Sequence, residues 1–184
     1  MSTTVAEALS AFNLQQWIDD NRQAFSGPVA NKEVFPQSEF IFQIIRGPNA
    51  RNDFHIDPGD EIFYQLQGTI RVDVIEGGQR RKNVLRQGDV LLVPAGVPHS
   101  PLRTPGSWGL VVERKRRPGE LDGILWFCER CNAKLYERSF QMADIGTEIR
   151  GAIEEFFAST EQRTCKSCGA VLEPAPEFSM QEAN

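Results

Sequence analysis

Two stretches of this chain decide how it folds and what chemistry it can carry: His55-Ile-Asp-Pro-Gly-Asp-Glu61 and Gly88-Asp-Val-Leu-Leu-Val-Pro-Ala-Gly-Val-Pro-His99. They contain both histidines of the 184-residue sequence, and the first also supplies a carboxylate at Glu61. Two imidazoles and one carboxylate form the three-ligand face of non-haem Fe(II) oxygenases, which leaves coordination positions open. A single histidine is more often a hydrogen-bonded structural residue, so this interpretation depends on the pattern around the pair.

Short segments rich in β-branched and aromatic residues surround these stretches. Turn signals such as Gly47-Pro48 and Gly77-Gly78 separate them, which predicts antiparallel strands in a sandwich or barrel. The two adjacent glycines are typical of a two-residue hairpin turn. The predicted strands cover residues 39–46, 61–66, 69–75, 82–85, 90–93 and 109–113.

Helical periodicity appears at both ends of the strand region. Asn13 and Gln16 are spaced as in a capping box, which predicts a helix from residue 14 to about 24. A second helix is predicted over 147–157, where the apolar positions indicate packing. Because the strand pattern fades after about Pro118, we predict two regions of one structural unit. Residues 1–118 would hold the first helix and the barrel, and residues 119–184 would pack against them.

The net charge of −5 argues against nucleic acid or an anionic membrane as a partner. The one dense basic run, Arg114-Lys-Arg-Arg117, is predicted to be a solvated turn. No segment approaches the roughly 20 apolar residues of a membrane-spanning helix. Residues 1–10 lack the basic and apolar regions of a secretory signal, so we expect a cytoplasmic protein.

The two opening stretches resemble the two cupin motifs, which implies a mainly β fold: a double-stranded β-helix barrel with short helices. The resemblance implies that His55, Glu61 and His99 are metal ligands, because side chains of a narrow barrel alternate into its lumen and can meet there. Asp57 stands where cupins often have a further histidine, so three ligands are expected rather than four. Asp57 as an extra ligand is the alternative to a turn-forming aspartate before Pro58.

A narrower resemblance extends over most of the chain. It is carried by Pro48-Asn-Ala-Arg51-Asn-Asp-Phe-His55, Asp60-Glu61-Ile-Phe-Tyr-Gln-Leu66, Val97-Pro-His99-Ser-Pro-Leu-Arg103, Val112-Glu113-Arg114 and Leu121-Asp-Gly123. These sequence segments are similar to those of the bacterial 3-hydroxyanthranilate 3,4-dioxygenases. The resemblance implies Fe(II) at the catalytic site, dioxygen as co-substrate and a small aromatic carboxylate as substrate. The ring-opened product, 2-amino-3-carboxymuconate semialdehyde, closes without an enzyme to quinolinate, a step of the kynurenine route of tryptophan degradation and of NAD biosynthesis.

Residue types around the predicted iron fit that chemistry. Arg103 is the candidate anchor for the substrate carboxylate, since a guanidinium recognises such a group at two points. Arg51 would lie beside the metal and stabilise negative charge on bound oxygen. Glu113 would accept the phenolic proton, and Glu61 would also contact the substrate. The simpler alternative is that Arg51 and Arg103 are solvated or salt-bridged surface residues, and that Glu113 pairs with one of them.

The remaining motif is a pair of Cys-x-x-Cys knuckles, Cys128-Glu-Arg-Cys131 and Cys165-Lys-Ser-Cys168-Gly169. Four thiolates at this spacing predict a closed tetrahedral site for zinc or iron, of rubredoxin-like type and structural role. The glycine after the second knuckle would permit the turn toward the metal. Two disulfides or four free thiols are the alternatives, and a cytoplasmic location disfavours the disulfides.

Three functions therefore stay open at this point. The resemblance favours a ring-cleaving dioxygenase acting on 3-hydroxyanthranilate. The same ligands would serve a cupin oxygenase acting on another aminophenol or catechol, for which Arg103 would have no carboxylate to bind. A non-catalytic cupin that binds a small acid or a metal is the third. By analogy with other cupins, we expect a homodimer.

Overall fold

The computed structural model describes residues 10–26, 30–141 and 145–176, with the side chains of 145–148 left out. Within these residues the chain is mainly β, with short helices. The helices are α1 Leu14–Asp20, a 3-10 helix Arg22–Phe25, α2 Ile145–Ala158 and α3 Thr160–Arg163. The strands are β1 Ala30–Glu33, β2 Phe40–Arg46, β3 Asp53–Ile56, β4 Glu61–Gln67, β5 Thr69–Glu76, β6 Gln79–Arg86, β7 Val90–Val93, β8 His99–Arg103, β9 Trp108–Arg114, β10 Asp122–Phe127 and β11 Lys134–Phe140.

The six predicted strands correspond to β2, β4, β5, β6, β7 and β9, and the hairpin at Gly77-Gly78 is confirmed by the pairing of Glu76 with Gln79. Sequence reasoning missed β1, β3, β8, β10 and β11. Strands β10 and β11 follow Pro118, after which the strand pattern of the sequence fades. All six residues of β10 are buried, so neither of its faces meets solvent and the alternation that marks a half-buried strand is absent.

The strands form two antiparallel sheets, with order β1-β2-β9-β4-β7 in the first and β11-β10-β3-β8-β5-β6 in the second. The sheets face each other across a shared core: Phe63, Val93 and Val111 of the first pack against Ile70, Val72 and Leu85 of the second. This confirms the mainly β cupin barrel that the two motifs implied.

The predicted N-terminal helix is confirmed but shorter than expected. The side chain of Asn13 accepts a hydrogen bond from the backbone N–H of Gln16 at 2.9 Å, as in an N-cap, and α1 ends at Asp20 before the 3-10 turn. Ile18 and Phe25 then pack against Ile44, Trp108 and Leu110 on the outer face of the first sheet.

Helix α2 confirms the second predicted helix and lies on the hairpin β10–β11. Phe156 stacks on Trp126 with ring centroids 4.2 Å apart, inside a cluster that also contains Ile124 and Leu172. Strand β10 pairs with β3, so the second sheet contains residues from both sides of residue 118. The division at residue 118 stays a prediction. Among the described residues, no helix is long and apolar enough to cross a membrane.

Candidate metal centre and active site

The register of two strand pairs brings the predicted ligands together. His55 of β3 lies opposite His99 of β8 in one sheet, and Glu61 of β4 lies opposite Glu113 of β9 in the other. Cross-strand partners have Cβ atoms about 5 Å apart. Because the sheets face each other, ligand atoms of His55, Glu61 and His99 come within 4.8 Å of one another, and all three residues are buried.

The chemistry of this cluster fits a bound cation. His99 Nδ1 lies 3.0 Å from the carbonyl oxygen of Val97, so the proton of a neutral imidazole sits there and Nε2 keeps its lone pair. That Nε2 approaches Glu61 Oε2 to 2.7 Å, and two acceptors this close require a shared proton or cation. Burial disfavours charge on both groups, yet their attraction outweighs it, raising the pKa of His99 and lowering the pKa of Glu61. A divalent metal ion can replace the proton of this pair.

All six residues predicted around the catalytic metal line one cavity of about 840 Å³, which receives side chains from both sheets: Arg51, His55, Glu61, His99, Arg103 and Glu113. Its other walls are partly apolar, with Phe63, Ile45 and Val111 among the lining residues. A small aromatic molecule fits a cavity of this size and character.

Arg103 presents an unsatisfied cation to the cavity. It ends β8, where its backbone exchanges two hydrogen bonds with Asn49, of 2.9 and 3.0 Å. Its guanidinium lies over Gly109, where a Cβ atom would come within 2.8 Å of Nη1. The side chain is 1% exposed, and its Nη2 has no hydrogen-bond partner among the described residues. Burial lowers the pKa of Arg103 to about 10, so the group stays charged at neutral pH.

Arg51 lies in the cavity wall and is held by Asp53. Its Nε lies 3.2 Å from Asp53 Oδ1, and its Nη2 contacts Oδ2 of the same carboxylate. Burial opposes the charge, but Asp53 outweighs it and raises the pKa of Arg51. The pairing partner is therefore Asp53 and not Glu113, so the predicted alternative of an Arg51–Glu113 salt bridge does not occur.

The prediction of a solvated run holds for Lys115 and Arg117, which are exposed, but is wrong for Arg116. The Arg116 side chain is 7% exposed and contacts three carboxyl groups, those of Asp57, Glu113 and Asp122. Arg114 forms a two-point pair with Glu120. The error arose because an acidic chain was taken to leave its few basic clusters in solvent, whereas this one neutralises buried carboxylates.

Asp57 takes the turn-forming place expected as the simpler alternative. Its Oδ1 accepts a hydrogen bond from the backbone N–H of Gly59 at 2.6 Å, and its Oδ2 lies 2.8 Å from Arg116 Nη2. Burial and a hydrogen bond with Glu113 raise the pKa of Asp57 to about 8. Asp57, Glu61 and Glu113 form a buried carboxylate cluster beside the histidines.

The C-terminal part of the chain forms one wall of the same cavity, which the sequence did not indicate. Its lining residues include Ile149, Arg150, Ile153, Phe157, Pro174 and Ala175. The apolar members of α2 were predicted to serve packing, but they also face the cavity. A part-buried hydrogen bond of 2.8 Å from Asn52 Nδ2 to the carbonyl oxygen of Glu173 ties this segment to the start of β3, the strand that carries His55.

The four cysteines form a second cluster, with their sulfur atoms within 4.8 Å of one another. Cys128 and Cys168 have Sγ atoms 3.6 Å apart, and Cys131 and Cys165 have theirs 3.5 Å apart. Thiolates around one metal ion at 2.3 Å would be about 3.8 Å apart, whereas a disulfide would need about 2.05 Å. All four are free thiols, so the predicted alternative of two disulfides does not occur.

The two knuckles have the same backbone pattern. Cys128 N–H donates to Ala133 O and Cys165 N–H to Ala170 O, both at 2.8 Å. The residue after the second cysteine is left-handed in each, with φ of 73° at Gly169, as predicted, and 58° at Asn132. Burial would raise the pKa of Cys165, but the N–H groups of Ser167 and Cys168 lower it to about 6, which favours a thiolate ligand.

Comparison with known proteins gives one family. A family model described as 3-hydroxyanthranilic acid dioxygenase matches residues 7–157. The 3-hydroxyanthranilate 3,4-dioxygenase of Bacillus cereus (strain ATCC 10987 / NRS 248) is 44% identical over 169 residues, 91% of this chain and 94% of the relative. The protein of the same name from Xanthomonas euvesicatoria pv. vesicatoria (strain 85-10) is 46% identical over 165 residues, 90% and 93% of the two chains.

One solved structure gives a more distant match. A cupin-2 domain protein from Shewanella frigidimarina NCIMB 400 has a TM-score of 0.45 and 16% identity, covering 56% of this chain and 100% of that chain. The family model and the two relatives, in contrast, each span most of this chain. The chain therefore belongs to the 3-hydroxyanthranilic acid dioxygenase family.

Proposed function

We propose that this protein is a 3-hydroxyanthranilate 3,4-dioxygenase. The reaction adds both atoms of one dioxygen molecule to the aromatic ring beside the hydroxyl-bearing carbon and opens the ring, giving 2-amino-3-carboxymuconate semialdehyde. Because both oxygen atoms enter the product, no further reductant is consumed. Family membership supports this proposal, and so does a cavity that holds three metal-ligating side chains and a buried arginine.

The metal of this site is proposed to be Fe(II), held by His55, Glu61 and His99. Imidazole and carboxylate ligands suit it, and three protein ligands leave positions for other molecules. A ferrous ion there would supply a common binding place for the substrate and dioxygen. The chain's own contribution is to hold the three ligands on rigid strands inside a buried cavity.

The observation that carries the substrate assignment is the free Nη2 of Arg103 in the same cavity as the three ligands. A buried guanidinium with an unused N–H group gains most from an anionic acceptor, and a carboxylate matches its planar fork. The carboxylate of 3-hydroxyanthranilate is the proposed acceptor. Its neighbouring hydroxyl and amino groups would then face the metal ligands.

Glu113 is the proposed acceptor of the phenolic proton. Its carboxylate lines the cavity opposite Glu61, and Arg116 Nη1 holds its Oε2 at 2.7 Å. Removing that proton leaves an electron-rich phenolate, which reacts more readily with dioxygen. Arg51, oriented by Asp53, would stabilise negative charge that develops on the oxygen side, and Glu61 would contact the substrate beside the metal.

The substrate assignment is tested by comparing 3-hydroxyanthranilate with 2-aminophenol, which lacks the carboxylate. The wild-type protein is expected to prefer the acid in kcat/KM by at least about 10²-fold, because the shorter molecule leaves Arg103 unpaired. In Arg103→Ala most of this preference should disappear, chiefly through a higher KM for the acid. The control is Arg80→Ala, which removes an arginine that does not line this cavity.

Equal turnover of both compounds by the wild-type protein would instead favour an oxygenase for aminophenols or catechols without a carboxylate. Tight binding of the acid by the Fe(II)-loaded protein with no oxygen consumption would favour a non-catalytic cupin that binds a small acid.

The four-cysteine cluster is proposed to hold zinc or iron in a structural site. A metal ion with four thiolate ligands has no open position for a substrate. The site lies where the loop after β10 meets the segment after α3, so a bound ion would join the C-terminal wall of the cavity to the barrel sheet.

A cytoplasmic homodimer stays a prediction. An exposed apolar row on the outer face of β4 and on the edge strand β7 supports the dimer. The row consists of Ile62, Tyr64, Val90 and Leu92. Unpaired edges that carry apolar side chains favour association with a second copy. Leu92→Glu is expected to give a monomer in sedimentation velocity. A dimer of unchanged stability in this variant would place the interface elsewhere.

A further inference from the structure

We infer that Arg116 and Asp122 form a positioning unit that orients His55 and Glu113, although neither touches the metal position. The inference rests on the proposed function, because it concerns how the proposed catalytic groups are held. Arg116 lies just after β9, and Asp122 is the first residue of β10. The sequence patterns indicated a catalytic role for neither of them.

Asp122 holds the imidazole of His55. Its side chain is fully buried, and its Oδ1 lies 2.8 Å from His55 Nε2. A carboxylate in this position accepts the ring N–H, which fixes both the tautomer and the ring plane of the histidine. Metal-binding histidines commonly donate their second N–H to such a carboxylate, and the contact strengthens them as ligands.

Arg116 fixes Asp122 in turn. Its Nε lies 3.1 and 3.0 Å from the two carboxylate oxygens of Asp122, and its Nη2 lies 2.6 Å from Oδ1. The same Nη2 also reaches Asp57 Oδ2 at 2.8 Å. Nη1 donates to Glu113 Oε2 at 2.7 Å and to the carbonyl oxygen of Arg114 at 3.2 Å.

The Arg116 guanidinium therefore donates hydrogen bonds from all three of its nitrogen atoms, to Asp122, Glu113 and the carbonyl oxygen of Arg114. Because the fork is planar, these bonds fix its orientation, so the positions of Asp122 and Glu113 are coupled through it. Buried ion pairs contribute little net stability compared with apolar packing, which makes geometry the better reason for this arrangement. The unit connects a metal ligand on β3 with the proposed proton acceptor on β9.

The test measures metal affinity as well as turnover. Co(II), which also gives a visible spectrum, is titrated into metal-free wild type, Asp122→Asn, Arg116→Lys and the double variant. Asp122→Asn is expected to weaken Co(II) binding by about 10- to 100-fold, as found when such a carboxylate partner is removed. Arg116→Lys keeps the charge but not the fork, and should weaken binding by a smaller factor.

Since Arg116 acts on His55 through Asp122, the double variant should bind Co(II) no more than about threefold less tightly than Asp122→Asn. With Fe(II), kcat should fall in both single variants, and KM should change little because neither residue lines the cavity. Glu120→Gln is the matched control. It breaks the neighbouring Arg114–Glu120 pair and should leave Co(II) affinity unchanged.

The inference would be overturned if folded Asp122→Asn bound Co(II) with the affinity and spectrum of the wild type. It would also be overturned if the double variant lost Co(II) affinity by the product of the two single-variant factors. Thermal unfolding of each variant identifies those that have lost the fold, and Arg116→Lys keeps the inference testable if Asp122→Asn is among them. If the wild-type protein binds Co(II) but never turns over 3-hydroxyanthranilate with Fe(II), the proposed function fails while the affinity measurements still decide the inference.

Discussion

The molecule contains two ligand clusters that differ in almost every respect. His55, Glu61 and His99 stand on strands of two facing sheets, are all buried, and open into a cavity of about 840 Å³. The four cysteines stand on two turns, one of them is exposed, and none lines that cavity. Ligands on rigid strands with open coordination positions suit a catalytic metal site. Four thiolates that two matching turns place around one position suit a structural metal site.

The two clusters are nevertheless linked through the backbone. The segment that follows the second knuckle reaches Glu173, whose carbonyl oxygen accepts the hydrogen bond from Asn52, and continues to Pro174 and Ala175 in the cavity wall. The structural cluster should therefore affect the catalytic one by shaping its wall. This predicts effects on substrate binding that are much smaller than the loss of a catalytic ligand.

The largest contrast is expected between ligand replacements in the two clusters. His99→Ala should abolish retention of iron at the catalytic site and reduce turnover to background, because no other imidazole can take its place. Cys131→Ser, at the exposed cysteine, should keep turnover within several-fold of the wild type. Iron content and oxygen uptake measure both effects. Full activity in His99→Ala would contradict the assignment of His99 as a metal ligand.

The next effect is on stability. Cys165→Ser removes a buried ligand whose thiolate the backbone favours, and should lower Tm by about 10 °C or more, since structural metal ions contribute several kcal/mol to folding. Differential scanning calorimetry with and without a chelator measures the loss. In protein that remains folded, kcat should change little and KM should rise. A selective fall in kcat would contradict a structural role.

The smallest effect should come from the link itself. Asn52→Ala removes the hydrogen bond to Glu173, which is expected to cost about 1 kcal/mol and to raise KM for 3-hydroxyanthranilate by a few-fold as the wall loosens. The matched control is Asn83→Ala, because Asn83 makes a comparable side-chain bond to the carbonyl oxygen of Val72 and does not line the cavity. Equal KM values in the two variants would show that the wall is independent of this bond.

The sequence predicted the parts of the site that have local patterns. His55, Glu61 and His99 come with fixed motif spacings, and the two knuckles have their own. Strand β5 was also predicted, because apolar and charged residues alternate along Ile70–Val74, although Arg71 and Asp73 on its polar side are buried as well.

The rest depends on contacts between distant parts of the chain. Asp122 reaches His55 over 67 positions, and Asn52 reaches Glu173 over 121. No local pattern marks such pairs, and Arg116 resembled any other residue of a basic run. Strand β10 was missed because it is buried on both faces and shows no alternation. A buried arginine close to several buried carboxylates becomes recognisable only once the sheets are assembled.

The most direct test of the central claim is simultaneous measurement of oxygen uptake and ring-opened product during aerobic turnover of 3-hydroxyanthranilate by the Fe(II)-loaded protein. We predict that one dioxygen is consumed for each molecule of 2-amino-3-carboxymuconate semialdehyde formed, with quinolinate appearing afterwards. Protein that holds both Fe(II) and 3-hydroxyanthranilate but neither consumes oxygen nor forms product would contradict it.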